Sequence, residues 1–322
     1  MNRQTTPSHW CQHTFRAMGC QMSIWLDMRH SRPVDQLLGQ AEAMFHQAEG
    51  VLSRFDATSE LSQLNSRAGR WTPVSDLMWS ILTQALFLAR ETCGLFDPTQ
   101  LMALETAGYD RSFVQMPADT VGSGVVTAVN RHGQWHQVQL DAVAQAVLLP
   151  PNVRLDLGGI AKGHTAQQVV DFLDQEAACL VDASGDLTAG DAPQGWPGWP
   201  VAIAAPTHAG NEGNTALFQL WLVDGTMATS GIDYRRWRQN GRLAHHVIDP
   251  RTSLPATTDL LTATVLARTA VRAEAWATAA LVAGSTTAMQ RLTTTGLAAA
   301  FVDQQNSLTV TPALAPFLAV TA

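Results

Sequence analysis

Residues 153–164, VRLDLGGIAKGH, constrain the fold of this 322-residue chain more than any other stretch. An alternating apolar segment runs into Asp156, then Gly158–Gly159, Lys162 and Gly163, and an amphipathic run follows. The pattern predicts a strand, a tight turn and a helix start. Glycine allows backbone angles and close approaches that a side chain forbids, and a helix N-terminus offers unpaired N–H groups to an anion. Lys162 adds a positive charge at the same place, so a phosphate-bearing ligand is one reading. A plain packing turn is the other. The stretch is neither the dinucleotide fingerprint G-x-G-x-x-G nor the phosphate loop G-x-x-x-x-G-K-[ST], because the Lys precedes the Gly.

The rest of the chain must decide between them. A net charge of −7 argues against a nucleic-acid partner, which needs a basic face. The four cysteines (Cys11, Cys20, Cys93, Cys179) form no C-x-x-C pair, so neither structural zinc nor a disulfide framework is expected. No apolar run reaches membrane-span length, and MNRQTTPSHWCQHTF lacks the apolar core of a signal peptide. The location expected from the sequence as it stands is cytoplasmic, or periplasmic if a leader has been removed.

Residues 1–13 are polar and are expected to be a flexible segment ahead of a single unit over 14–322. Thr14–Leu26 reads as a strand interrupted at Met18–Gly19 by a bulge or a close backbone approach. Apolar periodicity predicts a helix over Val34–Leu52; helices are also read over Val74–Thr92, His164–Ala178 and the Ala-rich Thr269–Ala283, and a short helix through Leu64 follows the capping residues Asp56, Thr58 and Ser59. A hairpin is expected around Arg131–Gly133 and another at Asn240–Gly241. Cys179–Gly190 reads as one buried strand, and Gly225 opens a polar turn. Trp196–Ala204, Ala216–Leu222 and Leu260–Ala267 read as strands. Hairpins outnumber βαβ units, so the class is α+β, with mixed or antiparallel sheets and packed helices and no linker to divide it.

Two further constellations bear on chemistry. In AVRAEAWATAALVAG, Glu274 and Thr278 stand four apart on one helical face. A carboxylate and a hydroxyl are hard oxygen donors that suit Mg2+; a solvated Glu and a back-bonded Thr are the alternative. In HHVIDP, His245 and His246 alternate, so one faces inward. An inward imidazole can take a hydroxyl proton or simply fill the core. Ser184 in DASGD precedes its glycine, so there is no hydrolase elbow. Arg235, Arg236 and Arg238 form a basic cluster that could meet an acidic ligand or water.

In this order, AMGC (17–20), SRFDATSELSQLN (53–65), CGLFDPT (93–99), LDLGGIAKG (155–163), VDASGD (181–186), ATSGIDYRRW (228–237), HHVIDPRTS (245–253) and RAEAWAT (272–278) resemble the FAD:protein FMN transferase (ApbE-type) family from about Phe15 to the C-terminus. The resemblance implies a T-fold-like α+β architecture. It also implies Mg2+-dependent transfer of FMN from FAD, as substrate, to a Thr or Ser hydroxyl in a motif of an acceptor protein, releasing AMP. Met18, Phe55, Leu95, Phe96, Asp97, Asp156, Lys162 and Ile248 match nucleotide contacts. The Gly159 carbonyl, Glu274 and Thr278 match the metal site. His246 matches the histidine that assists the nucleophile, and Lys162 would join the metal in steadying phosphoryl charge.

The chain departs from the pattern at several positions. Glu274 replaces the usual Asp, and Ala277 stands where some members carry a second Asp, which points to one Mg2+ rather than two. Phe55 replaces Tyr, Cys20 replaces Thr, His164 replaces Tyr and Ser253 replaces Gly. An FAD pyrophosphatase and a non-catalytic FAD-binding protein are the alternatives on the same scaffold.

Overall fold

The computed structural model describes residues 9–27, 33–116, 119–120, 133–206, 216–239 and 241–318. Its frame is an eight-stranded sheet built from Trp10–Ala17, Cys20–Asp27, Cys179–Ala183, Asp186–Ala189, Gly225–Gly231, Leu260–Ala267, Ala298–Asp303 and Leu308–Val310. The strands lie side by side in chain order and every neighbouring pair is antiparallel. The sheet is therefore a meander into which longer segments are inserted.

Strand alternation gives the sheet two faces. On one side Ala263, Val265, Ala299 and Phe301 join the helical core; on the other Leu266, Ala298 and Ala300 meet an apolar layer. That layer is the hairpin Trp199–Ala204/Ala216–Leu222, where Trp10, Trp196, Trp199 and Trp221 cluster. The helices are α1 (Val34–Leu52), α2 (Glu60–Ser66), α3 (Asp76–Glu91), α4 (Leu101–Thr106), α5 (Ala161–Leu173), α6 (Ala270–Ala283), α7 (Ser285–Thr295) and the short α8 (Ala315–Leu318). α6 is buried on nearly all sides, as a helix apolar all round must be. Its alanines let it lie close against the Gly225–Gly231 and Leu260–Ala267 strands.

The helices and the Leu260–Ala267 strand fall where the sequence places them. Three local expectations are corrected. Met18–Gly19 is a two-residue hairpin turn, not a bulge: both residues have positive φ (52° and 70°), and Ala17 pairs with Cys20. Ser184–Gly185 (φ 65° and 96°) likewise turns one expected strand into two, with Ala183 facing Asp186. Gly225–Gly231, read as a polar turn, is an inner strand of the sheet whose small polar residues face other polar groups. The described hairpin nearest Arg131–Gly133 joins Gln139–Asp141 to Ala146–Leu148, while residues 121–132 lie outside the described residues. Around the expected Asn240–Gly241 hairpin, Arg236–Gln239 pairs antiparallel with Arg242–His245 and Gln239 faces Arg242, while Asn240 lies outside the described residues.

Strand structure begins at Trp10, inside the segment expected to be loose. The Val153–Asp156 run is extended but belongs to no sheet. There the Asn65 amide takes the place of a neighbouring strand: its Oδ1 accepts from Leu155 N (2.7 Å) and its Nδ2 donates to Leu155 O (2.9 Å). Among the described residues, no helix is long and apolar enough to cross a membrane.

Candidate active site

The opening stretch does start a helix, but the helix is capped by another helix. The residue before α5, Ile160, supplies no side-chain cap. The Glu274 carboxylate on α6 does so instead: its Oε2 accepts the Gly163 N–H (3.1 Å), in the first turn of α5. An anion there satisfies an orphan donor and complements the helix dipole. The contact needs the missing side chain of Gly163, since a Cβ would lie 2.7 Å from Glu274 Cδ and 3.1 Å from Ala270 Cβ. The double glycine ahead of it is less crowded; a Cβ at Gly159 would meet Phe96 Cε2 at 3.4 Å.

Lys162 completes this cluster. Its Nζ donates to Glu274 Oε1 (3.2 Å) and to Asp186 Oδ2 (2.9 Å), and Asp186 Oδ1 accepts the Thr229 N–H (2.9 Å). All three side chains are largely buried. Burial disfavours the Lys162 ammonium, but the two carboxylates outweigh it and its pKa is raised. Burial pushes the Glu274 carboxyl up, with Lys162 opposing and Asp186 adding to the rise. Four residues along α6, Thr278 Oγ1 meets Ser230 Oγ at 3.1 Å.

A second buried ion pair sits on the other arm of the same stretch. Arg54 Nε lies 2.6 Å from Asp156 Oδ2, and Asp156 Oδ1 accepts the Gly158 N–H (2.8 Å). The Arg54 guanidinium covers the rings of Phe55 (4.1 Å to the centroid) and Tyr109 (4.6 Å). Phe55 keeps about half its surface exposed, while Tyr109 packs in one cluster with Trp237 and Ile248.

The histidine lies on a third wall. His246 Nδ1 is 3.4 Å from the Arg235 carbonyl, which fixes the tautomer that donates there and leaves Nε2 as the acceptor. Burial, with Arg235 adding to it, pushes its pKa down to about 3. His245, by contrast, is spent structurally, its Nε2 donating to the Ala256 carbonyl (3.0 Å).

Of the residues singled out from sequence, Lys162, Glu274 and Thr278 share the α5–α6 junction, with Gly159 one turn ahead of Gly163. Asp156 and Phe55 are joined through Arg54, and Ile248 stands behind Tyr109. Leu95 and Phe96 are buried in the helical core, so a ligand would meet little more than the edge of either. The Asp97 carboxylate accepts from Thr99 N, Thr99 Oγ1 and Gln100 Nε2, which holds its own turn. Met18 sits in the positive-φ hairpin turn. Sequence reasoning missed Asp186, Arg54, Gly163 and Ser230. Asp186 and Arg54 did lie inside quoted motifs, and a charged residue in an otherwise apolar or capping stretch was their signal.

Three hard oxygen donors, Glu274, Thr278 and the Gly159 carbonyl, suit Mg2+ by their chemistry. Among the described residues no group of three or more His, Cys, Asp or Glu side chains offers an alternative metal centre. An α+β meander sheet with two buried ion clusters at one helix start is thus the class of protein defined. The chain belongs to the ApbE family, whose model matches residues 18–301. It is 31% identical over 287 residues to the FAD:protein FMN transferase of Treponema pallidum (82% of this chain, 76% of that one). It is also 31% identical over 257 residues to that of Salmonella typhimurium (77% and 71%). The fold matches the crystal structure of the ApbE protein from Thermotoga maritima with a TM-score of 0.85 (23% identity, 96% of this chain and 99% of that one). The apo flavinyl transferase ApbE of Pseudomonas stutzeri matches at 0.81 (24%, 97% and 98%).

Proposed function

We propose that this chain is an FAD:protein FMN transferase that moves FMN from FAD onto a Thr or Ser hydroxyl of an acceptor protein, releases AMP and uses one Mg2+. The observation that carries this reading is the meeting of Lys162, Glu274 and Asp186 at the start of α5, in a chain whose curated relatives are named FAD:protein FMN transferases.

The residues divide the work. Asp156, Phe55 and Met18 form the wall that would receive the flavin nucleotide, with Leu95, Phe96, Asp97 and Ile248 shaping it from behind. Glu274, Thr278 and the Gly159 carbonyl would hold the metal, which supplies Lewis-acid stabilisation of phosphoryl oxygens when bound. Lys162 holds Glu274 and Asp186 in place. His246 is neutral at pH 7, and its Nε2 can accept the hydrogen of an incoming hydroxyl. With a conjugate acid near 3 it orients that hydroxyl better than it stores a whole proton.

The test is incubation with FAD, Mg2+ and an acceptor domain carrying the Thr/Ser motif, read as flavin fluorescence on the denatured acceptor in a gel. Label on the acceptor, lost in His246→Ala, is expected. AMP and free FMN without label would make water the nucleophile, and no turnover at all would leave only FAD binding.

A further inference from the structure

We propose that Arg235 binds the phosphate oxygens of the nucleotide substrate and supplies the net positive charge that the two ion clusters lack. This rests on the reading of FAD as substrate.

Lys162 faces two carboxylates, Asp186 and Glu274, and Arg54 faces Asp156. Those two cations against three carboxylates leave nothing over for an anionic ligand. A phosphate-bearing substrate that enters such a site ahead of any metal needs a positive charge from elsewhere.

Arg235 has that charge uncommitted. Its Nη2 donates to Cys20 Sγ (3.3 Å), and among the described residues no carboxylate stands within ion-pair distance of it. A neutral thiol is a weak acceptor, so most of the guanidinium fork stays available for the bidentate geometry that phosphate favours. The group is half-buried, whereas Arg236 and Arg238 on the same hairpin are exposed. Its position also converges on the site from two sides. Its carbonyl holds His246 Nδ1, and its side chain reaches Cys20, which closes the hairpin turn carrying Met18. Its charge bears on Lys162, His246 and Tyr109 alike.

The experiment is calorimetric binding of ADP, FAD and riboflavin to the wild-type protein, Arg235→Gln, Arg235→Lys and Arg236→Gln, without divalent cation. Loss of a charged hydrogen bond to phosphate should weaken ADP and FAD by about tenfold or more in Arg235→Gln. Riboflavin, which has no phosphate, should bind unchanged. Arg235→Lys should recover part of the loss, and Arg236→Gln should match the wild type for all three. ADP affinity untouched in Arg235→Gln, riboflavin affinity falling in step with ADP, or no ADP binding by the wild type would each overturn the inference. Wild-type protein that binds ADP but not FAD would sink the transferase reading alone.

Discussion

The two buried ion clusters on either side of the 156–163 turn meet the same cost in different ways. Arg54 and Asp156 match one charge with one, and two aromatic rings cover the guanidinium. Lys162 is shared by two carboxylates at the start of a helix, with no aromatic ring over it among the described residues. A matched, covered pair is a rigid wall against which a flat ligand can stack. An under-neutralised cluster is a place where a further cation is welcome. The difference assigns ligand positioning to the first and phosphoryl chemistry to the second.

Removing the shared cation should break the second cluster most severely. Lys162→Met leaves two buried carboxylates facing each other, and we expect a loss of about 3–5 kcal/mol in urea unfolding at pH 7. Adding Glu274→Gln should return much of it, and an additive double mutant would count against the sharing. Next comes Gly163→Ala, whose methyl group displaces Glu274 from α5. Because misplacing a reacting group by about 1 Å can cost about a hundredfold in rate, transfer at saturating FAD should fall by that order.

On the matched side, Arg54→Leu releases Asp156 and uncovers Phe55. The expected effect is a rise in KM for FAD of about tenfold with kcat little changed, the mark of lost uniform binding. The smallest effect separates both clusters from the neutral polar groups beside them. His164 on α5 is buried, which pushes its pKa down to about 4. Its folded pKa is depressed, so the unfolded chain takes up a proton that the folded one refuses, and stability falls as pH drops from 6.5 towards 4. The slope from this one group is about 1 kcal/mol per pH unit. His164→Phe should flatten it in pH-dependent melting.

Much of this was legible in the sequence, and the limits are physical. α1 announces itself by its periodic apolar stripe and α6 by its run of alanines, both of them local signals. The pairing of Glu274 with Thr278 is a matter of helical geometry alone. Met18–Gly19 and Ser184–Gly185 were harder, because a bulge and a two-residue turn leave the same trace in a short run. Asp186 and Arg54 could not be placed at all from pattern. Their partners lie 24 and 102 residues away along the chain, and only the packed sheet and helices bring them together. The role of Gly163 hides for the same reason: it is small for the sake of Glu274, 111 residues on.

The division of labour between the clusters is tested most directly by measuring FAD affinity in chelator and FMN transfer with Mg2+ in parallel, for Glu274→Gln and Arg54→Leu. Glu274→Gln should keep its FAD affinity and lose transfer by about a hundredfold or more, as expected when charge stabilisation at the reacting phosphate goes. Arg54→Leu should lose affinity and keep its rate at saturation. Wild-type transfer by Glu274→Gln, or parallel losses of affinity in both variants, would contradict the assignment.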